Sequence, residues 1–192
     1  MEKSGVIERI SHSEWASPLV VVPKPNERVR ITGDFKNTVN SQLHITQYPI
    51  ATPEQVFHTI SGSSIFSKLD GSNAYHQMEV EKECKKFLVV NTHRGLYRYN
   101  VLPQGISSSP AIFQEFADKM LQGTPHTSTY IDDTLSGDTS EEEHLQTLQK
   151  IFKRMREYNF YLAKEKCEFC KPHIEFLGHI LSKRGIHTDP NK

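Results

Sequence analysis

Apolar positions along the chain recur in short bursts whose spacing switches between two and three or four, so strands and helices are both expected and neither dominates. Residues 19–22 are apolar and mostly β-branched, Pro23, Pro25 and Asn26 interrupt them, and residues 28–35 resume in extended form with basic residues among them. That pattern predicts a hairpin. Thr52, Pro53 and Gln55 stand as N-cap, first-turn proline and N3 partner for a helix from Pro53 to about Ile60. Residues 65–69 predict a strand ending at Asp70, and residues 87–91 and 96–102 predict two more. Pro110 opens a helix whose Ile112, Phe113, Phe116, Ala117 and Met120 share a face. Residues 128–131 and 134–135 then flank Asp132 and Asp133, a hairpin with two acids at its tip. Ser140 and Glu143 form a capping box for a helix to about Tyr158, with Leu145, Leu148, Ile151, Phe152 and Met155 as its core stripe. Residues 174–181, a turn over 182–185 and Ile186 onward predict a closing β-hairpin. Without regular βαβα alternation, the fold class expected is α+β.

A length of 192 residues allows one ordinary domain or two small lobes, and no repeat or low-complexity tract divides the chain. No apolar run approaches the roughly 20 residues that cross a bilayer. The first ten residues carry Glu2, Lys3, Glu8 and Arg9 where a signal peptide needs an apolar core. An intracellular protein, with no membrane partner and no secretion, is the expectation. Lys and Arg total 23, as do Asp and Glu, so attraction to nucleic acid has to come from local patches. Three cysteines cannot all pair, which fits a reduced compartment. Cys167 and Cys170 have CxxC spacing, but no second pair follows to complete a zinc site.

Chemistry concentrates at the acids. Asp70 and the Asp132–Asp133 pair end predicted strands, and strand ends can converge in space. Asp is also a common turn residue, so this alone is weak. An Asp-Asp pair where Asn-Gly would turn more easily tolerates like-charge repulsion that a turn does not require. Clustered carboxylates persist when something neutralises them, and hard oxygen ligands suit Mg²⁺.

Six stretches, in order, carry a resemblance: WASPLVVVPK (15–24), VRITGDFKNTVN (29–40), FSKLDGSNAYHQ (66–77), GLYRYNVLPQGISSSPAIFQ (95–114), YIDD (130–133) and FLGHILSKRGI (176–186). Together they resemble the reverse transcriptase domain of gypsy-like long-terminal-repeat retrotransposons and, more distantly, of retroviruses. The resemblance implies a right-hand polymerase: fingers at about 1–44 and 78–108, and palm at about 45–77 and 109–192, an antiparallel sheet with helices packed on one face. It implies RNA-directed DNA synthesis, with a nucleotide moved from a deoxynucleoside triphosphate to a primer 3′-hydroxyl on an RNA or DNA template. Asp70, Asp132 and Asp133 would be the catalytic carboxylates and metal ligands, with the Gly71 carbonyl completing a shell. Two Mg²⁺ ions about 4 Å apart, or Mn²⁺ in their place, would activate the hydroxyl and stabilise the leaving pyrophosphate.

By the same resemblance Lys24 and Arg30 would grip the triphosphate, Ala74 and Tyr75 would line the sugar pocket, and Gln104 would contact the incoming nucleotide. The Tyr75 ring would exclude a 2′-hydroxyl by its volume. Tyr130, Ile131, Phe176, Leu177, Gly178 and His179 would contact the primer. The thumb, connection and ribonuclease H regions of a Pol polyprotein would be further partners, in the cytoplasm or a retroelement particle. The chain departs from the family at Gly33, where a bulkier apolar residue is usual, and at Gln104, where gypsy-like elements more often carry phenylalanine. The alternative reading is a non-catalytic remnant or host-adopted fragment that binds nucleic acid or protein.

Overall fold

The computed structural model describes residues 1–23, 29–44 and 47–188, which leaves Lys24, Pro25, Asn26 and Arg28 outside the described residues. The chain divides into two compact units, Met1–Gln47 with Asn73–Pro110, and Tyr48–Ser72 with Ala111–Lys192. No described helix is long and apolar enough to cross a membrane.

In the first unit, β1 (Ile7–Ile10), β2 (Ser17–Pro23), β3 (Val29–Gly33), β5 (Val89–Thr92) and β6 (Gly95–Tyr99) form one sheet in the order β1-β6-β5-β2-β3. The predicted hairpin is present, with β2 and β3 antiparallel from Leu19 opposite Gly33 to Pro23 opposite Val29. β2 meets β5 in parallel, Ser17 opposite Val90. The short helix α2 (Lys82–Lys85) precedes β5. Phe35, Val39, Leu88, Val90, Tyr97, Tyr99 and Ile106 are the core of this unit. β1 was not predicted, because its alternation is broken by charge. Glu8 is opposite Arg98 on β6, and the two side chains form an ion pair. Gly33 now has a reason: a Cβ there would lie 2.5 Å from Phe35 Cζ and 2.8 Å from Val90 Cγ1. The Phe35 ring and the Val90 side chain fill the space that a side chain at position 33 would need.

In the second unit, β4 (Ile65–Asp70), β7 (Thr127–Tyr130), β8 (Asp133–Asp138) and β9 (Glu168–Lys171) form an antiparallel sheet in the order β7-β8-β4-β9. Alternate residues of β4 serve opposite faces. Leu69 joins Met120 and Leu121 of α3 (Ser109–Leu121) and Leu148, Ile151 and Met155 of α4 (Glu141–Glu157). Phe66 joins Val56 and Phe57 of α1 (Pro53–Thr59), with Ile174, Phe176 and Leu181. The two long helices thus share one face. α1 starts with the predicted capping box, Thr52 and Gln55 each bonding the other's backbone N–H.

Two expectations are corrected here. Leu145 is 47% exposed, and the buried stripe of α4 is His144, Thr147, Leu148, Ile151 and Met155. The spacing of 144, 148, 151 and 155 follows the helical period, and Leu145 lies about 100° off it. At the start of α4, Glu143 N–H donates to Ser140 Oγ, and its carboxyl, held below its usual range chiefly by the Thr139 hydroxyl, also draws on the Ser140 side chain and on the Ser140 and Thr139 backbone N–H groups. The strand predicted over 174–181 is two strands, β10 (His173–Phe176) and β11 (His179–Ser182), folded about Leu177 and Gly178. Both turn residues have positive φ, 48° and 77°, matching a tight hairpin turn. β12 (Gly185–Thr188) adds a third strand beside β11.

Candidate active site

Asp70 closes β4 and lies directly opposite Asp133, the first residue of β8. Tyr130 also pairs with Asp133, so the β7–β8 hairpin turns on Ile131 and Asp132, not on the two aspartates as the sequence predicted. The difference lies at Ile131, which adopts φ +52°. A branched residue pays about 1–2 kcal/mol for this left-handed conformation. Gln114 of α3, fully buried, offsets it: Ile131 N–H donates to Gln114 Oε1 at 2.9 Å. Gln114 Nε2 in turn donates to the Thr129 carbonyl at 3.1 Å and to Asp118 Oδ1 at 2.9 Å. Thr129 Oγ1 and the Tyr48 hydroxyl donate to the two Asp118 oxygens. Sequence reasoning gave Gln114 no role. The signal was a glutamine set among Phe113, Phe116 and Ala117.

Gly71 N–H donates to the Asp132 carbonyl at 3.1 Å, which ties the end of β4 to the turn. A segment from Tyr161 to Cys167 wraps the same end: Ala163 N–H donates to the Asp70 carbonyl at 2.9 Å, and Asp70 N–H to Cys167 Sγ at 3.4 Å. Cys167 is therefore part of the support for Asp70. Burial pushes its thiol up, against the Asp70 N–H that pulls it down. From the following 3-10 turn (Lys164–Lys166) the Lys166 ammonium reaches both Asp70 carboxylate oxygens, at 3.0 and 3.2 Å. Lys68 lies 4.0 Å from Asp133. The Asp133 carboxyl is raised above the usual range, chiefly by burial and also by Asp70, against the pull of Lys68 and Lys166.

Among the described residues, no three His, Cys, Asp or Glu side chains converge on a common metal position. The donors nevertheless suit a hard divalent cation, being carboxylates from two adjacent strand ends.

Tyr130 and Leu177 pack against the core that contains Phe176, so the hairpin turn and the β10–β11 turn share support. Lys68 Nζ lies 5.8 Å from the centre of the Phe176 ring. His179 donates from Nδ1 to the Leu177 carbonyl at 3.0 Å and meets the Phe57 ring edge-on. Arg30, Ala74, Tyr75 and Gln104 belong to the first unit. Arg30 is exposed on β3, Ala74 is buried and Tyr75 half-buried in a 3-10 turn (Ala74–Gln77). The Gln104 carbonyl accepts from the Thr32 hydroxyl, and the Gly105 carbonyl accepts from Asn40 Nδ2 at 2.8 Å, which fixes that loop. Lys24 lies outside the described residues.

A second polar group lies behind Asp70. Ser67 Oγ is 2.7 Å from His144 Nε2, His144 Nδ1 is 2.8 Å from Asp138 Oδ2, and Thr147 donates to Asp138 Oδ1 at 3.1 Å. The order of groups is that of a hydrolytic triad. Ser67 and His144 are each 0% exposed, so no substrate reaches them. Asp138 only accepts, which places the His144 proton on Nδ1. Ser67 also accepts from Cys170 N–H at 3.0 Å, so each side chain of the network has a partner. The network joins β4, β8, β9 and α4 three residues before Asp70.

The family profile described as reverse transcriptase (RNA-dependent DNA polymerase) matches residues 22–181. The chain belongs to the reverse transcriptase family. Uncharacterized protein K02A2.6 of Caenorhabditis elegans is 35% identical across 100% of this chain, and the transposon Tf2-3 polyprotein of Schizosaccharomyces pombe is 35% identical across 96%. The chain spans only 15% and 14% of the length of these relatives. Among solved structures, the foamy viral protease-reverse transcriptase in complex with double-stranded DNA superposes with a TM-score of 0.92 at 24% identity, over 98% of this chain and 33% of that one. The native prototype foamy virus protease-reverse transcriptase gives 0.83 at 27%, over 92% and 24%. The mixed α and β architecture is thus that of reverse transcriptases, a family that generally uses divalent metals.

Proposed function

We propose that the chain is the fingers and palm part of an RNA-directed DNA polymerase that adds deoxynucleotides to a primer 3′-hydroxyl on an RNA or DNA template. Fingers would lie at about 1–44 and 78–108 and palm at about 45–77 and 109–192, inside the cell and within a larger polyprotein that supplies thumb, connection and ribonuclease H regions. The observation that carries this reading is the register of Asp70 against Asp133, with Asp132 in the adjoining turn, in a chain of this family.

Asp70, Asp132 and Asp133, with the Gly71 carbonyl, would hold two Mg²⁺ ions, or Mn²⁺. Bound there, such ions supply Lewis-acid activation of the hydroxyl and neutralise charge on the triphosphate. The chain's own residues bind and orient. Lys24 and Arg30 hold the triphosphate by fixed positive charge. Gln104 and Ala74 frame the nucleotide, and Tyr75 excludes a 2′-hydroxyl. Tyr130, Ile131 and the turn Phe176, Leu177, Gly178 and His179 seat the primer end. Gln114 and the Ser67–His144–Asp138 network keep the two aspartate-bearing strand ends still. Primer extension on an RNA template with Mg²⁺, run beside Asp132→Asn, tests the reading. Extension by the parent chain and none by the variant supports it, and binding of primer–template without extension favours the non-catalytic remnant.

A further inference from the structure

Lys166 has no place in the chemistry above, yet its ammonium lies close on a candidate metal ligand: 3.0 and 3.2 Å to the two Asp70 oxygens, where Lys68 and Asp133 are 4.0 Å apart. The position is built by the backbone. Ala163 N–H bonds the Asp70 carbonyl, Lys166 N–H bonds the Ala163 carbonyl at 2.9 Å, and Cys167 Sγ accepts from Asp70 N–H while donating to the Ala163 carbonyl. The Asp70 backbone and the turn segment are therefore joined at two points, and Lys166 leaves the turn facing the carboxylate. The two partners differ in exposure: the Asp70 side chain is 19% exposed and that of Lys166 is 60%. The lysine can swing into water at little cost, while the aspartate stays.

We propose that Lys166 is the resident counter-ion of Asp70 before metal arrives, and that a divalent cation displaces it, so that Lys166 sets the metal affinity of the site. The inference rests on the reading of Asp70 as a metal ligand. An ammonium on both oxygens and a metal on either compete for the same lone pairs. Without a cation, Asp70 faces Asp133 across the β4–β8 ladder with like charge opposite like charge. Lys166 relieves that repulsion and holds the aspartate in place, and it leaves when a stronger cation takes over. Its departure also prevents an excess of positive charge beside Lys68. The site therefore tolerates loss of metal without collapse, and binds metal more weakly than its carboxylates alone would.

The test is Mn²⁺ binding to the whole chain, with free Mn²⁺ read by electron paramagnetic resonance. The variants are Lys166→Met, Lys166→Arg, Asp70→Asn and Asp132→Asn. An opposite charge close to a carboxylate changes its cation affinity by about 10-fold or more, so Lys166→Met should bind Mn²⁺ about tenfold more tightly, Lys166→Arg should stay within about threefold of the parent, and both aspartate variants should bind at least tenfold more weakly. A variant that merely misfolds would lose affinity, so a gain cannot come from structural damage. As a second readout, limited acetylation with mass spectrometry should show Lys166 modified faster when Mg²⁺ is present and Lys68 unchanged. If Lys166→Met binds no better than the parent while Asp70→Asn still weakens binding, the inference is wrong and the metal reading stands. If the aspartate variants bind as the parent does, the metal reading fails and this inference fails with it.

Discussion

Replacing Gln114 with methionine keeps the volume of a fully buried side chain and removes every hydrogen bond it makes. Thr129 Oγ1 keeps Asp118, and Asp118 keeps Tyr48, so those groups stay partnered. The Ile131 N–H loses the bond that Gln114 accepts, at a cost of about 1–3 kcal/mol for a buried donor. The left-handed Ile131 backbone, worth about 1–2 kcal/mol of strain, is then no longer held. Gln114→Met should destabilise the chain by about 1–3 kcal/mol in urea unfolding. The turn also carries Asp132, so nucleotide incorporation should fall further than the folded fraction does when measured where the variant is still folded. Ile131→Gly should remain within about 1 kcal/mol of the parent, because glycine adopts φ +52° without strain and this offsets the lost side chain. If Gln114→Met lies within about 0.5 kcal/mol of the parent and incorporates normally, the reasoning about the turn is refuted, because surface-like neutrality is then the rule there.

Tyr75→Val should raise ribonucleotide incorporation relative to deoxynucleotide by about tenfold, or 1.4 kcal/mol, while Tyr75→Phe keeps the parent's selectivity; an unchanged ratio of specificity constants in the valine variant contradicts the steric role. Tyr99, 2% exposed, is pushed up to about 12 by burial, so its stabilising contribution is whole below pH 10 and lost as pH rises through 12. The stability difference between the parent and Tyr99→Phe should therefore shift by about 2–3 kcal/mol between pH 9 and 12 in urea titrations, and a constant difference would refute it. His144→Leu should cost about 3–5 kcal/mol by leaving Asp138 buried with Thr147 alone, whereas Ser67→Ala should cost about 1 kcal/mol; equal costs would mean that the ring is not the hub of the network.

The local elements were legible where one physical signal decided them. The α1 capping box, the β2–β3 hairpin and the strand ending at Asp70 depend on short-range chemistry, and each is present. Long-range pairing was not legible. β1 is defined by its pairing with β6, where Glu8 meets Arg98 ninety residues away, and the strand over 174–181 breaks at Leu177 and Gly178 although its apolar pattern is continuous. The aspartates were found from their motifs, and their supports were not. Gln114, His144 and Lys166 act through partners brought close by the sheet, and a histidine on a helix reads from sequence as a solvent-facing residue although His144 is buried. The stripe on α4 was misplaced by one position for that reason: an apolar residue was assigned the core position that a satisfied histidine holds.

The central claim is that Asp132, with Asp70 and Asp133, serves Mg²⁺-dependent nucleotidyl transfer. The most direct measurement is single-turnover addition of one deoxynucleotide, with the chain in excess over a primer annealed to RNA, with Mg²⁺ and with chelator. The account predicts Mg²⁺-dependent addition by the parent chain, and a fall of at least about 10³-fold in Asp132→Asn, of the size expected when transition-state charge loses its stabilising group, at an unfolding midpoint no lower than the parent's. Addition at parental rate by Asp132→Asn, or by the parent in chelator, would contradict it.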